Sequence, residues 1–258
     1  MLRQTDTVQN NRHYRDRHQL FYVEGIRGFV QAVDTGFTIK RILFSDKLLI
    51  NPVARKLVRQ QRRAGVATVN LSPEAFRRIA THKRASGVAA LIQQQWHDLS
   101  ATDANQSLCW TLLDSVRSPG NLGTLIRTSA AIGGAGFILV GNSVDPYAPS
   151  VLRSAMGASF HQAFVRTDWA SLRTWIAERD RPVIGASPGG SVPLHALPQL
   201  ATAPLLVLGE ERQGLSRRQS DLCKTLVRIP MQPGADSLNL GVAGGLFLYE
   251  IRRQRAGP

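Results

Sequence analysis

The sequence has 258 residues, of which 43% are hydrophobic, and a formal net charge of +14 from 32 basic and 18 acidic side chains. This length allows a large core in one or two domains, and the longest apolar stretches have only the length of a strand, so no membrane-spanning segment is expected. The polar, basic first residues exclude a secretory signal, and the charge is typical of a protein with a polyanionic partner, the alternative being a merely soluble basic protein.

The cysteines and histidines do not form a metal-binding pattern. Cys109 and Cys223 are the two cysteines, and neither has a metal-ligand spacing with the six histidines. So low a cysteine content, without a disulfide framework, is typical of a reducing compartment. We therefore expect a cytoplasmic protein that binds no metal.

The first part of the chain is expected to be a basic arm followed by a small α/β domain. Residues 1–19 are polar and basic, and we expect them to be mobile until bound. Residues 20–96 form the small domain. Its pattern predicts, in order, helix 21–33, strand 39–44, helix 53–64, strand 66–70, a helix capped by Ser72 and strand 88–94.

Residues 97–107 are polar and without periodicity, which indicates a linker to a second domain, 108–258. The strands of that domain are predicted at 109–114, 136–140, 163–165, 182–186, 205–209 and 226–230. Its helices are predicted at 122–132, 151–156, 169–178, 216–223 and from 238 onward. This alternation predicts a parallel sheet covered on both faces, and ligands bind beyond the carboxyl ends of the strands in such a sheet.

Three strand ends carry unusual polar and glycine residues. After the first strand, Asn121 is placed to cap a helix, and Gly123 and Arg127 share a face of it; an internal salt bridge is the alternative role for Arg127. After strand 205–209, Glu210 points to where a ligand would lie, unless the segment is only an acidic surface turn. The third stretch is the end of the chain.

In this third stretch, 229–250, Pro230 ends a strand and Ser237 is the predicted N-cap of the last helix. Gly241, Gly244 and Gly245 weaken that helix by about 1 kcal/mol each against alanine, so close backbone packing is expected to compensate. The alternative is an ordinary amphipathic helix against the core.

The sequence does not contain the other common motifs for nucleotide binding or a complete motif for a catalytic nucleophile. No phosphate-binding glycine loop is present in the required order. The segment Gly185–Gly189 fits the G-x-S-x-G pattern of hydrolases, but no acid lies between Ser187 and His195. Pro188 also lacks the N–H that half of an oxyanion hole would need. A hydrolase is therefore excluded.

Together, the three stretches resemble the SpoU (TrmH-like) family of RNA ribose 2′-O-methyltransferases, within the SPOUT superfamily. Asn121, Gly123 and Arg127 match its N-x-G-x-x-x-R pattern. Residues 208–215 match L-G-x-E-x-x-G-L, with the acid at Glu211 by spacing or at Glu210 by a G-E-E variant. Residues 229–231 and 237–239 match I-P-M and S-L-N. The resemblance covers 108–253, and the part that begins at 22–25 resembles the small α/β RNA-binding domain often placed ahead of this one.

The resemblance implies an α/β domain with a deep trefoil knot, a homodimer and S-adenosyl-L-methionine as the methyl donor. A knot is rare elsewhere, and it would bring backbones close at Gly241, Gly244 and Gly245. One departure concerns the residues after S-L-N. The family usually has Ser-Val-Ala after an S-L-N-V run, whereas this chain has Gly241-Val242-Ala243, which removes a hydroxyl from the region.

The resemblance also implies roles for individual residues. Because an arginine stays protonated, Arg127 is expected to hold the target phosphate and lower the pKa of the ribose hydroxyl. Asn121 and Asn239 would orient Arg127, and Glu210 or Glu211 would balance its charge. Ser237 would contribute a hydrogen bond near the site, within its own chain or across the dimer. The backbone at three positions would hold the adenosyl group: Gly209, Ile229 and Leu238.

The basic first domain suggests a structured RNA as the substrate, and the two-domain form favours ribosomal RNA over transfer RNA. The expected RNA-binding residues lie along one helix, where the alternative is a solvated face: Arg55, Lys56, Arg59, Arg62 and Arg63. A non-catalytic RNA-binding or ribosome-assembly protein with the same fold is the competing hypothesis. It predicts RNA binding without cofactor binding.

Overall fold

The computed structural model describes residues 2–81, 84–102 and 108–255. The helices are α1 (Leu2–Asn10), α2 (Arg12–His18), α3 (Ile26–Asp34), α4 (Pro52–Arg63), α5 (Pro73–Ile79), α6 (Pro119–Ile132), α7 (Pro149–Ala155), α8 (Trp169–Arg179), α9 (Arg217–Ser220) and α10 (Leu240–Arg255). The strands are β1 (Leu20–Glu24), β2 (Ile39–Phe44), β3 (Ala67–Asn70), β4 (Val88–Gln93), β5 (Trp110–Leu113), β6 (Gly136–Val140), β7 (Ala163–Thr167), β8 (Val183–Ala186), β9 (Val192–Pro193), β10 (Leu205–Leu208) and β11 (Thr225–Arg228).

The chain forms two compact units. The first comprises the described residues of Met1–Gln95 and Asp145–His161, and the second those of Trp96–Val144 and Gln162–Pro258. The domain boundaries expected from the sequence stay a prediction. Of the expected linker 97–107, residues 103–107 lie outside the described part of the chain.

The first unit is built on a four-stranded sheet with the order β1-β4-β2-β3. Strand β4 runs antiparallel to both neighbours, while β2 and β3 are parallel. Segment 145–161 belongs to this unit because its aromatic side chains pack on the sheet. The Tyr147 ring lies 4.8 Å from that of Phe21, and its hydroxyl donates to the Gln95 carbonyl at 2.5 Å.

The predicted helix over 21–33 is wrong at its start. Residues Leu20–Glu24 form β1, and Phe21, Tyr22 and Val23 are all buried in it. Aromatic and β-branched side chains favour a strand. Gly25, with a φ of 106°, then turns the chain into α3, a backbone angle that glycine adopts readily.

The expectation of a mobile arm at 1–19 is also wrong. Residues 2–18 form α1 and α2, and the Val8 side chain is fully buried. Arg15 is only 5% exposed, and its guanidinium pairs with Asp145 at 2.5 Å. It also donates to the Val8 carbonyl at 2.8 Å. The buried charge of Arg15 thus has partners inside the unit, and these contacts fix α1 and α2 in place.

The second unit contains the predicted parallel sheet, with the strand order β7-β6-β5-β10-β8-β11-β9. Neighbouring strands of this sheet run parallel to each other throughout the described residues. Its centre is apolar: Leu112, Ile138 and Val207 have no exposed surface. Strand β10 lies between β5 and β8, so the loops that follow these three strands meet at one edge of the sheet.

Two predicted helix starts are wrong, and the corrections matter for the site. Helix α6 begins at Pro119, with Ser118 rather than Asn121 as its N-cap, because proline suits the first helical position. Helix α10 begins at Leu240. The side-chain oxygen of Asn239, not of Ser237, accepts from the N–H of Gly241 at 2.9 Å. The cap of α6 thus leaves the Asn121 side chain available for other contacts.

Helices α6 and α10 approach closely, as the glycines suggested. A Cβ at Gly244 would overlap the Leu125 side chain of α6, and one at Gly241 would lie 3.1 Å from Thr124 Cγ2. Gly245 is different, because a Cβ there would lie at an ordinary 3.6 Å from Thr128 Cγ2. Close packing therefore explains two of the three glycines.

Candidate active site

A cavity of about 110 Å³ lies at the carboxyl ends of β8, β10 and β11, within the second unit. Its walls combine strand-end backbone with apolar side chains, among them Met231 and Phe247. The three residues expected to bind a cofactor all line it: Gly209, Ile229 and Leu238. Glu210, Glu211 and Ser237 line it too.

Gly209 lets two backbone segments meet beside the cavity. A Cβ at this position would overlap the backbone of Gly214. The loop between them closes on itself, because the Glu210 N–H donates to the Gly214 carbonyl at 3.0 Å and the Gly214 N–H donates back at 2.9 Å. Gly214 has a φ of 68°, in the left-handed region. The loop therefore holds its two acids in fixed positions.

Glu211 is the acid that contacts the first motif. Its carboxylate accepts from the backbone N–H groups of Arg117 and Ser118, each at 3.0 Å, and from the side-chain amide of Asn121 at 3.0 Å. Partial burial raises the pKa of Glu211, but these hydrogen bonds outweigh it and hold the pKa below its usual value. Glu211 is therefore a fixed negative charge at neutral pH.

The hydrogen bonds continue from Asn121 to the third motif. The Nδ2 of Asn239 donates to the Oδ1 of Asn121 at 2.7 Å, and the Oδ1 of Asn239 accepts from α10. The Glu211 carboxylate can only accept a hydrogen bond, and the N–H at the start of α10 can only donate one. These two partners therefore determine the orientation of the side-chain amides of Asn121 and Asn239. We call Glu211, Asn121 and Asn239 the amide relay.

Glu210 has different partners. Its carboxylate pairs with the Arg117 guanidinium and accepts from the Gln213 N–H at 2.9 Å. Its side chain is 9% exposed, whereas that of Arg117 is 58% exposed. Glu210 thus stabilises the loop after β10, and the amide relay runs through Glu211.

The remaining expected residues are more dispersed. Arg127 lies on α6 and is exposed, in the same unit as the cavity. The five basic residues of α4 belong to the other unit. Arg55 donates to the Asp46 carbonyl at 2.8 Å and also to that of Leu49, and all five side chains are exposed: Arg55, Lys56, Arg59, Arg62 and Arg63.

The sequence did not point to the wall of the cavity formed after β8. Ala186, Ser187 and Pro188 line it, although the sequence identified this segment only by its similarity to a hydrolase pattern. Its position at the carboxyl end of a parallel strand was the available signal. Leu240, Ala243 and Phe247 of α10 also line the cavity. In the described ranges, no cluster of His, Cys, Asp and Glu could hold a metal ion, and no helix is both long and apolar enough to span a membrane.

Two family models match the chain. Residues 110–249 match the SpoU rRNA Methylase family, and residues 7–90 match the MRM3-like substrate binding domain. The first match spans the cavity and the whole amide relay. The second falls in the first compact unit.

Relatives and solved structures extend over nearly the whole chain. The 23S rRNA (uridine(2479)-2'-O)-methyltransferase of Streptomyces viridochromogenes is 30% identical, over 98% of this chain and 90% of its own. The 23S rRNA (guanosine(2553)-2'-O)-methyltransferase RlmP of Bacillus subtilis is 27% identical, over 92% and 90%. The crystal structure of the SpoU methyltransferase AviRb from Streptomyces viridochromogenes, in complex with the cofactor AdoMet, has a TM-score of 0.90 at 28% identity and covers 99% of this chain and 97% of that one.

Proposed function

The chain belongs to the SpoU rRNA Methylase family, and from this membership we propose that it methylates a ribose 2′-hydroxyl of ribosomal RNA. It is an RNA methyltransferase that uses S-adenosyl-L-methionine. The observation that carries the proposal is the amide relay beside a cavity at the carboxyl ends of three neighbouring strands. A protein that only binds RNA has no need of either feature.

The lining of the cavity suits the adenosyl part of the donor. Apolar side chains at Ile229 and Leu238 suit a flat, apolar ring, and the lack of a side chain at Gly209 leaves backbone groups within reach. When bound, S-adenosyl-L-methionine supplies an electrophilic methyl group. We propose that Ser237, which lines the same cavity, adds a hydrogen bond there.

We propose that Arg127 binds the phosphate next to the target ribose and favours loss of the hydroxyl proton by its positive charge. An arginine stays protonated, so it acts by charge and orientation rather than as a base. The amide relay holds α6, which carries Arg127, against the start of α10. Glu211 is our choice for the acid that balances the charge of Arg127, because it contacts Asn121 directly. Glu210 supports the loop.

We propose that the second unit contains a deep trefoil knot. Strand β10 enters the sheet between β5 and β8, and after β11 the chain returns so that α10 packs on α6. These crossings support the proposal. A disulfide that joins the two chain ends would trap such a knot, and in denaturant the closed chain should stay more compact than an unknotted closed chain of the same length.

A second copy of this chain is the proposed partner of α10. Val242, Leu246 and Tyr249 are 51%, 42% and 65% exposed and lie on one helical face. This apolar face continues from the residues that line the cavity. A homodimer would bury it and would place a second chain near the site.

We propose that residues 20–96 form the substrate-recognition domain and that the exposed basic side chains of α4 contact RNA phosphates. The net charge of +14 and the match of residues 7–90 to a substrate-binding domain support this. Cys109 and Cys223 are free thiols, which suits the cytoplasm, where we expect the protein to act.

Two measurements test the function. Calorimetry with S-adenosylhomocysteine should show binding, and binding of RNA without it would refute the enzyme. Primer extension at low nucleotide concentration, on RNA from parental and deletion strains, should reveal one lost ribose methylation in ribosomal RNA. Loss from transfer RNA instead would overturn the substrate class. The two named relatives act on different nucleosides, so this experiment also identifies the target nucleotide.

A further inference from the structure

A second cavity, of about 220 Å³, lies wholly within the first compact unit. It is formed where the loop between β1 and α3 faces α7 and the turn after it. Its walls include buried apolar side chains, among them Leu152 and Phe160, and the exposed Met156. The volume is below that of a typical drug-sized pocket and suits one small planar group.

The mouth of this cavity favours a negative charge. Helix α3 begins at Ile26 after Gly25, which provides no side-chain cap, and its first three residues, Ile26, Arg27 and Gly28, line the cavity. The positive end of the helix therefore lies at the cavity wall. Arg27 and Arg153 are both exposed on its wall. The guanidinium of Arg153 donates to the Thr81 carbonyl at 3.1 Å, which fixes its position. A phosphate group would meet two arginines and a helix N-terminus.

A buried hydroxyl gives a second, independent sign of a ligand. Ser159 lines the cavity and is only 4% exposed. Within the described part of the chain, its Oγ has no hydrogen-bond partner. A buried hydroxyl without a partner is costly, and a polar atom of a bound molecule would satisfy it.

The cavity also contains a carboxylate, which disfavours a bare anion. Glu24 lines it, and its carboxylate accepts from the N–H and, at 2.9 Å, the hydroxyl of Thr81. A ligand with N–H donors at one end and a phosphate at the other would complement both the carboxylate and the arginines. A nucleotide has these two ends and a planar ring between them.

We propose that this cavity binds one unstacked nucleotide of the substrate RNA, with its phosphate at the start of α3 and its base between Leu152 and Phe160. The proposal rests on the proposed function for its choice of RNA as the ligand. RNA-binding domains commonly read single unstacked bases in this way. The cavity then selects the RNA, at a place separate from the methyl-transfer site.

The methionines offer a direct test. The sequence has three, Met1, Met156 and Met231; Met156 lines this cavity and Met231 lines the active-site cavity. The full chain, labelled with ¹³C-methyl methionine, is titrated with the four nucleoside 5′-monophosphates and with a short single-stranded RNA. We expect the Met156 signal to shift saturably with the RNA and with at least one nucleotide. Inorganic phosphate and O-phosphoserine at equal concentration should leave it in place.

Matched variants complete the experiment. Ser159→Ala should weaken nucleotide binding about two- to tenfold, the effect of one neutral hydrogen bond, and Arg153→Gln should weaken it by at least as much. Arg78→Gln changes an exposed arginine that does not line the cavity; it makes the same charge change and should leave the affinity unchanged.

Three results would overturn the proposal: a Met156 signal that no nucleotide moves, equal shifts with phosphate or O-phosphoserine, or wild-type affinity in both cavity variants. The Met231 signal reports separately on S-adenosylhomocysteine. A failure of the proposed function would therefore appear at Met231 and a failure of this inference at Met156.

Discussion

The side-chain amide of Asn239 donates to that of Asn121 at 2.7 Å, and this contact joins the residue before α10 to the first turn of α6. The two residues are far apart in the sequence and belong to different motifs. Because Asn121 in turn donates to Glu211, the three motif loops are connected in one series. The positions of the three motif loops therefore depend on one another, and a substitution in one loop should alter the geometry of the other two.

Asn121→Asp should damage the site more than Asn121→Ala. The aspartate would bring a second carboxylate against Glu211, whereas alanine only removes two hydrogen bonds. We expect kcat/KM for methylation to fall about tenfold to a hundredfold with alanine and further with aspartate. Methyl-transfer kinetics and calorimetry with S-adenosylhomocysteine measure both effects. Equal activity of the two variants would contradict the relay.

Glu211→Gln should change the pH dependence of stability. The folded protein holds the pKa of Glu211 below its ordinary value of 4.5, so its carboxylate contributes stability above that pH and loses it as the pH falls through the lowered pKa. The difference in unfolding temperature between wild type and variant should be constant from pH 8 to about 5 and shrink at lower pH. Calorimetric scans over this range measure it, and a difference that grows in acid would contradict the assignment.

Gly244→Ala should destabilise the protein, because its Cβ would overlap Leu125 and lie 3.1 Å from Leu208 Cδ1. Such overpacking costs about 1–3 kcal/mol. Gly245→Ala is the matched control. Its Cβ has ordinary contacts, so it should be neutral or stabilise the helix by up to about 1 kcal/mol. Denaturant unfolding at one fixed protein concentration compares the two variants.

Arg127→Ala should abolish methylation while leaving the affinity for S-adenosylhomocysteine within a few-fold. The reason is that we assign Arg127 to the RNA and not to the cofactor cavity. Arg173→Ala, another exposed arginine on a helix of the same unit, is the control and should retain activity. If both activity and cofactor affinity disappeared together in Arg127→Ala, the assigned role would be wrong.

Leu246→Glu should convert a dimer into monomers, because the glutamate would place a charge in the middle of the apolar face of α10. Val53→Glu introduces the same kind of charge at an exposed position of α4, where 55% of the side chain is exposed, and should not alter the mass. Sedimentation equilibrium gives the mass of each. A wild type that sediments as a monomer would exclude the proposed homodimer.

The parallel sheet and the motif loops were predictable from the sequence because buried parallel strands leave continuous apolar runs and because the loop residues follow them directly. The strands at 39–44 and 136–140 coincide with β2 and β6. The wrong predictions for the second domain concerned local structure, namely the residues that cap two of its helices. Both Asn121 and Ser237 were plausible caps, and which polar residue caps a helix depends on neighbours such as Pro119 and on partners from distant loops.

The first residues show the other source of error. Polar, basic composition suggested a mobile arm, but Val8 and the buried ion pair of Arg15 with Asp145 anchor it. That pair joins residues 130 positions apart, so the sequence around either residue does not predict it. The sequence likewise left Glu210 and Glu211 open as the functional acid, and our preference for Glu211 rests on its contact with Asn121 of α6, which the sequence does not reveal.

The place of β10 in the sheet has a consequence for how the chain emerges from the ribosome. Leu208 pairs with Leu113, about 95 residues earlier. One edge of β5 therefore stays unpaired until the intervening segment and β10 have been synthesised. Folding should therefore be slow and should finish only after the last strands and α10 leave the exit tunnel. A chain stalled before β10 would leave the apolar edge of β5 unpaired, and it is at this moment that a chaperone is most needed.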